Sequence, residues 1–129
     1  MLEEGLFQLL TSDSDVASCI STRYFPLMLP DDAALPAVTY QRVSTVTSPT
    51  LNGFTDLVQV RLQIDTWATT YADARRAAQA IQNAIEGFLG TLPDGTAVAA
   101  ATLLSQMDTY ESVARYYRVT TDYRIIASR

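Results

Sequence analysis

The sequence contains no histidine and no lysine, so all nine of its basic residues are arginines. Histidine is the side chain that titrates closest to neutral pH and the commonest metal ligand. A Ser-His or Cys-His catalytic dyad is therefore impossible in this chain. The lack of lysine excludes Schiff-base chemistry and the phosphate-binding lysine of a P-loop. These two absences remove several large classes of enzyme.

Cysteine is nearly absent too, because Cys19 is the only one in the chain. A single cysteine cannot form an intrachain disulfide or a multi-cysteine metal site. Its neighbours in DVASCIST are mostly small or apolar, and this setting predicts a buried structural thiol. A reactive thiol is the less favoured alternative.

Long hydrophobic runs and the features of a signal peptide are also missing. The longest apolar run, AVAAATLL, is far shorter than the ~20 residues that a membrane helix requires. The first residues, MLEEGLFQLL, are acidic where a signal peptide is basic. We therefore expect a soluble protein that is assembled inside a cell and does not associate with a membrane.

What is present is the composition of an ordinary globular chain. Its 129 residues are 48% hydrophobic and 18% charged, which predicts one domain over residues 1–129. The net charge is −5 at pH 7. This charge argues against sequence-independent binding of nucleic acid, which requires a surplus of basic side chains facing phosphate.

The N-terminal part of the chain mixes helical and extended patterns. Leucines at helical spacing predict a helix over residues 2–11, and TSDSDVASCI predicts turn and capping residues with a short helical turn. STRYFPLMLP predicts a strand interrupted by Pro26, which favours a sheet edge or a bulge. Residues 37–46 are rich in Val, Thr and Tyr and predict the next strand. A loop over residues 47–56 should link it to the third strand.

Strict alternation marks the third strand. One side carries Val58, Val60, Leu62, Ile64 and Thr66, and the other carries Gln59, Arg61, Gln63 and Asp65. One face should therefore lie on the core and the other in water, which indicates an antiparallel strand. The period then changes to that of a helix, whose apolar stripe runs from Tyr71 to Phe88.

Two further strands complete the pattern. Residues 98–109 and 115–127 read as strands, and the short connection YESVA predicts that they pair as a hairpin. The predicted order is α-β-β-β-α-β-β. This order indicates an α+β fold, in which a mainly antiparallel sheet of four to five strands has one long helix packed on it.

Paired acidic residues are the features most suggestive of a metal site, and each pair has a simpler interpretation. Asp13-x-Asp15 begins like a calcium loop, but the sixth and twelfth positions lack the required Gly and Glu. A capping or turn role is favoured there. Asp31 and Asp32 have no third acidic neighbour, so a solvated turn is favoured over a Mg²⁺ site. We predict no metal and no cofactor.

The segment VRLQIDTWATTYADARRAAQAIQ gathers Asp, Trp, Tyr and Arg side chains and so resembles the edge of an active site. Local chemistry explains most of it: Thr70 should cap the helix by accepting from the Asp73 N–H, while the Asp73 side chain reaches back. Trp67 should end the strand beside its apolar face and cover the helix start. Asp65 could pair with Glu111 as in a glycosidase, but nothing in the sequence brings the two together. We predict no catalytic residue.

Four segments stand in an order and spacing that resemble a known family. They are MLEEGLFQLL, RYFPLMLPDDAALPAVTYQRVS, VQVRLQIDTWATTYADARRAAQAI and YRVTTDYRII. The third is the most specific, because Q-[IV]-D-x-W ends a strand and A-x-[ST]-Y-x-[DE]-A opens the helix. Over nearly its whole length the chain resembles the tail-completion, or tail-terminator, family of long-tailed bacteriophages and related prophage or gene-transfer particles.

The resemblance implies a virion structural protein at the tail–head junction, not an enzyme. Members form a ring, typically a hexamer, that ends polymerisation of the tail-tube protein and contacts the head connector or a head-completion protein. DNA passes through the lumen of the ring without sequence-specific binding. An acidic lumen would repel phosphate and let DNA slide. Assembly is expected in the host cytoplasm.

Two groups of residues are candidates for contacts with a neighbouring copy or with the tail tube. They are Thr50, Leu51, Asn52 and Phe54 in the loop, and Gln59, Arg61, Gln63 and Asp65 on the strand. Leu51 and Phe54 would be apolar anchors, although Phe54 folding back onto its own core is an equal alternative. Asp65 would pair with an arginine across the interface.

Two other functions remain open at this stage. The first is a different neck or tail component, such as a head-completion factor or a tube-like subunit, because related folds recur in these particles. The second is a small α+β ligand-binding domain or enzyme with a pocket between helix and sheet.

Overall fold

The computed structural model describes residues 1–47 and 57–128 of the chain. Its helices are α1 (Leu2–Ser12), α2 (Ser14–Ile20) and α3 (Tyr71–Ile85). Its strands are β1 (Tyr24–Pro26), β2 (Ala37–Val46), β3 (Leu57–Ala68), β4 (Gly90–Thr91), β5 (Ala97–Glu111) and β6 (Tyr116–Ser128). The observed order is therefore α-α-β-β-β-α-β-β-β.

The strands form one sheet in the order β1-β2-β3-β6-β5-β4. β1 and β2 are parallel, and every other neighbouring pair is antiparallel. The predicted α+β class, the mainly antiparallel sheet and the hairpin of β5 with β6 are confirmed. The prediction of four to five strands and one long helix is wrong, because the described residues form six strands and three helices.

The elements that the sequence reading shortened or missed are α2 and β4. Asp13 has an extended backbone that ends α1. Its Oδ1 then accepts from the backbone N–H groups of Asp15 at 3.0 Å and Val16 at 3.1 Å, and so caps α2. The predicted capping role is confirmed, but the helix that follows is longer than a single turn. β4 contains only Gly90 and Thr91, too few residues to show a period.

The core lies between the three helices and one face of the sheet. The even-numbered side chains of β3 from Val58 to Thr66 are buried, as the alternation predicted. At the centre, Leu62 stands opposite Tyr123 of β6, and both are fully buried. Leu10 of α1, Ile20 of α2 and Ile81 of α3 pack into the same cluster. The odd-numbered side chains of β3 therefore point away from the helices.

α3 begins at the predicted cap. The Thr70 hydroxyl accepts from the Asp73 N–H at 3.2 Å. The Asp73 carboxylate accepts from Arg76 Nη1 at 2.8 Å, so its predicted return to the Thr70 backbone is replaced by a pairing along the helix. Tyr71, placed in the apolar stripe by the sequence reading, is half exposed. The buried face of α3 consists mainly of alanines, which lets the helix approach β3 and β6 closely.

A salt bridge ties α1 to β2. Arg42 donates from Nε to Glu3 Oε2 and from Nη2 to Glu3 Oε1, both at 2.7 Å. Two parallel bonds between a guanidinium and a carboxylate hold a defined geometry. Burial by itself would raise the pKa of Glu3, but the bonds from Arg42, a backbone hydrogen bond and the nearby N-terminal charge together lower that pKa.

We expect Glu3→Gln to lower the free energy of unfolding by about 1 kcal/mol at neutral pH. Because the pKa of Glu3 is lower in the folded protein, its carboxylate stabilises the fold above the ordinary value of 4.5. The stabilisation is lost as the pH falls from that value through the folded pKa. In urea unfolding, the difference between wild type and variant should therefore disappear in acid.

Glu4→Gln is the matched control, since Glu4 lies on the same turn and is well exposed. It should change the free energy of unfolding much less than Glu3→Gln does. A Glu3→Gln difference that stays constant from neutral pH into acid would contradict the assigned role of the carboxylate.

Candidate interaction surface

The outer face of the sheet is the face whose side chains point away from the helices. It includes the odd-numbered residues of β3, the even-numbered residues of β6 and the residues of β2 and β5 in register with them. The candidates Gln59, Arg61, Gln63 and Asp65 all lie on this face. The other candidates, Thr50, Leu51, Asn52 and Phe54, lie outside the described residues.

Asp65 is held on the outer face by its own chain. The Thr120 hydroxyl of β6, directly opposite, donates to Asp65 Oδ1. Gln63 Nε2, two residues earlier on β3, donates to Oδ2 at 3.3 Å. The bond from Thr120 links β3 to β6 across the sheet, and the bond from Gln63 fixes the carboxylate within β3. The pairing of Asp65 with an arginine of another copy stays a prediction.

Arg61 and Asp122 form a second cross-strand connection. Arg61 Nη2 lies 3.0 Å from Asp122 Oδ2, and the Ser105 hydroxyl of β5 donates to the same oxygen at 3.3 Å. Three strands are thus joined through one carboxylate. The Arg61 side chain is still 52% exposed, so its guanidinium is accessible to a further partner.

Trp67 lies on the outer face and not beside the apolar face of β3, so this part of the sequence reading was wrong. Its Nε1 donates to the Thr39 hydroxyl of β2 at 3.0 Å. The Arg118 guanidinium lies 5.1 Å from the indole ring centroid, within cation–π range. Thr39 and Ala37 are buried although both lie on the outer face of β2. Trp67 has an odd number, like the polar residues of β3, and this position in the alternation already predicted the outer face.

Asp65 and Glu111 do not form a carboxylate pair. In the register of β6, Asp65 stands opposite Thr120 and Glu111 opposite Tyr116, which places them four residues apart along the sheet, roughly 13 Å. Glu111 instead pairs with Arg118 at 3.0 Å. The geometry of a glycosidase is therefore not formed by these residues.

Charges on the outer face are balanced in sign. The charged residues of β3, β5 and β6 on this face are Arg61, Arg118 and Arg124, with Asp65, Glu111 and Asp122. The acidic surplus of the chain is found elsewhere, for example at Glu3, Glu4, Asp13 and Asp15 around the first two helices. The face of the sheet and the helical layer thus differ in electrostatic character.

An open groove of about 450 Å³ borders the outer face beside Trp67. Leu27 and Met28, from the connection between β1 and β2, line one side, and Tyr116 lines another. Leu27 and Met28 are 72% and 76% exposed. The sequence reading missed these two residues, although two large apolar side chains directly after Pro26 were a visible signal.

The acidic residues and the cysteine that the sequence analysis considered do not come together as a metal or catalytic site in the described residues. Among the described residues, no group of three or more His, Cys, Asp or Glu side chains is arranged to hold a metal ion. Asp31 and Asp32 are exposed in a turn. Cys19 is partly exposed, not fully buried as predicted, and packs at the margin of the core. No helix in the described ranges is both long and apolar enough to cross a membrane.

A solved structure of another protein has the same fold as this chain. A solved chain from a structure described as "Virion of native gene transfer agent (GTA) particle" superimposes with a TM-score of 0.81 at 18% sequence identity. The match covers 99% of this chain and 95% of that one. At this identity the likeness establishes the fold. A search of curated proteins found no match.

The family model described as "Tail completion protein gp17" matches residues 4–128. The match includes every strand that carries the outer face. Proteins of this family are structural components of the virion tail. The chain therefore belongs to the tail completion protein gp17 family and is a structural protein of a phage-type virion tail, not an enzyme.

Proposed function

We propose that the chain forms a ring, of six copies, at the head-proximal end of a phage tail. The ring ends polymerisation of the tail-tube protein and joins the tail to the head connector or a head-completion protein. The observation that carries this proposal is the match of the tail completion family to residues 4–128. The fold likeness to a chain of a gene-transfer-agent virion supports it.

Capping in this proposal is a consequence of geometry. A ring with the symmetry of the tube docks on the last tube ring and then offers a different surface to the next subunit. Contacts between two different surfaces of identical chains close into a ring when the rotation between neighbours closes. No chemical step is required, which agrees with a chain that has neither His nor Lys.

The side of the subunit that lines the lumen determines what DNA meets there. The outer face would present balanced charges, whereas the helical layer would present an acidic surface. Neither surface has the excess of basic side chains that holds phosphate strongly. Whichever of the two surfaces lines the lumen, DNA is therefore expected to pass through it without tight or sequence-specific binding.

Native mass spectrometry and negative-stain imaging test the ring directly. We expect a ring of uniform size, formed by the protein alone or upon mixing with purified tail tubes. Tubes capped by the protein should stop lengthening when free tube subunit is supplied. A protein that remains strictly monomeric even in the presence of tubes would rule out the proposed function.

The loop candidates can be tested separately from the ring. Deleting residues 51–54 should abolish docking to the tube or to a neighbouring copy and leave the circular dichroism spectrum unchanged. The matched control replaces Leu89 and Val113 by serine, which removes two exposed apolar side chains from other positions. If the deleted protein docks as wild type does, the loop is not a contact surface.

The alternatives differ in what they require. A head-completion factor or tube-like subunit would also belong to the neck or tail, but it would not stop tube growth in the capping experiment. A ligand-binding domain requires a cavity between helix and sheet. In the described part of the chain the region between α3 and the sheet is filled by side chains such as Leu62, Ile81 and Tyr123, each at most 1% exposed.

A further inference from the structure

The β5 strand forms a long open edge of the sheet. β6 pairs with it along almost its whole length, but on the other side β4 pairs only with Ala97 and Val98. One further backbone bond reaches this side, from the Gly87 N–H to the Ala101 carbonyl at 2.8 Å. Within the described residues, the backbone of residues 102–110 therefore has no strand partner on that side.

Side chains on this open edge are not those that usually protect an edge. Proteins block exposed edges with lysine, proline or other charges, because unpaired N–H and C=O groups recruit another strand. Residues 102–110 contain no proline, and their one charge is Asp108. That carboxylate already accepts from Tyr71 at 2.6 Å and from Arg75 at 3.1 Å. Leu104 is 44% exposed and Met107 is 60% exposed.

The opposite end of the sheet has a second open edge. β1 is parallel to β2 and pairs only with residues 38–40 of it. The backbone of residues 41–46 has no strand partner on that side in the described part of the chain. Val43 and Val46 there are 44% and 50% exposed, and the one charge, Arg42, is engaged by Glu3.

We propose that the β5 edge of one copy pairs with the β2 edge of the next copy, so that the sheets of neighbouring subunits continue around the ring. This inference rests on the proposed ring and assigns its subunit interface. The partner of each edge is a second copy of the chain, because one described sheet has two open edges at its opposite ends. Each edge has exposed apolar side chains, and its one charged side chain is already in a salt bridge.

The strand directions agree with this pairing. β2 is antiparallel to β3, β3 to β6 and β6 to β5, so β5 runs opposite to β2. Rotation about a ring axis that lies along the strands preserves their directions. β5 of one copy therefore meets β2 of the next in antiparallel orientation, the geometry with perpendicular hydrogen bonds. Pairing of β5 with another β5 would instead give a two-fold dimer that cannot propagate.

The test first places positive charges on the β5 edge and then adds negative charges to the β2 edge. Leu104→Lys with Met107→Lys introduces the protection that natural edges use. We expect the ring to be lost, with assembly weakened by at least about tenfold. Adding Val43→Glu with Val46→Glu to the same chain should restore the ring, because each β5 edge then meets opposite charges. The control, Gln8→Lys with Val113→Lys, adds equal charge away from both edges and should leave the ring intact.

Amide hydrogen exchange separates pairing between copies from an effect on the stability of the single chain. On assembly, residues 102–110 and 41–46 should gain protection, whereas the non-assembling lysine variant should lack it and keep its melting temperature. A ring that still forms with both lysines in place would overturn the edge pairing and leave the ring proposal standing. Failure of the wild-type protein to form any ring would overturn the ring proposal itself.

Discussion

Replacing Trp67 by alanine should lower the free energy of unfolding by about 3 kcal/mol, as for a largely buried aromatic residue. Trp67 is on the outer face, yet most of its surface is covered. It donates to the Thr39 hydroxyl at 3.0 Å, and the Arg118 guanidinium lies against its ring. Removing the indole would expose this part of the sheet and leave the buried Thr39 hydroxyl without its donor. Urea unfolding of the dissociated protein measures the loss.

Trp67→Phe separates the two contributions of the indole. Phenylalanine keeps an apolar ring over the sheet but has no N–H group to donate to Thr39. We expect about 1–2 kcal/mol of destabilisation, less than for alanine. Equal losses in the two variants would mean that the hydrogen bond, not coverage of the sheet, accounts for the effect. A loss below about 0.5 kcal/mol for Trp67→Ala would contradict the structural role altogether.

Replacing Gly5 by alanine should lower the free energy of unfolding by about 2 kcal/mol. Gly5 is buried in α1 against the segment that precedes β5. A Cβ at this position would meet Leu92 Cβ and Cδ1, each at 2.9 Å, and would come closer still to Asp94 Oδ1. The overpacking costs about 3 kcal/mol, and the better helix propensity of alanine returns about 1 kcal/mol.

The matched control for Gly5→Ala is Gln8→Ala, on the exposed side of the same helix. It should change the free energy of unfolding by a few tenths of a kcal/mol at most, because only helix propensity changes. Chemical denaturation of both variants at one pH makes the comparison direct. A Gly5→Ala variant at least as stable as wild type would show that α1 can move away from Leu92 without cost.

Patterns repeated over many residues were predicted well from the sequence. The alternation along β3 correctly predicted which of its side chains are buried, because the period of two is a property of the extended backbone itself. The start of α3 followed from Thr70, since a capping hydroxyl acts within one turn. The hairpin of β5 and β6 followed from a short connection between two extended segments. Each of these depends on residues close in sequence.

The errors arose where a residue's surroundings come from distant segments. Trp67 was assigned to the wrong face because its aromatic character was weighed above its position in the alternation, and only the fold brings Thr39 and Arg118 to it. The hydrogen bond from the Thr120 hydroxyl to Asp65 was not predicted, because Thr120 is far along the chain. β4 was missed, and α2 was predicted only as a short helical turn, because neither is long enough to show a period.

The sequence by itself determined the α+β class, the buried side of β3 and, through motifs that span most of its length, the tail completion family. It also excluded histidine and lysine chemistry outright. Only the tertiary structure decided which strands are neighbours and hence that, among residues 1–47 and 57–128, β2 and β5 each carry an open edge. The reason is that a strand's own residues specify its two faces, whereas its edges are occupied or free according to which distant strands pair with it.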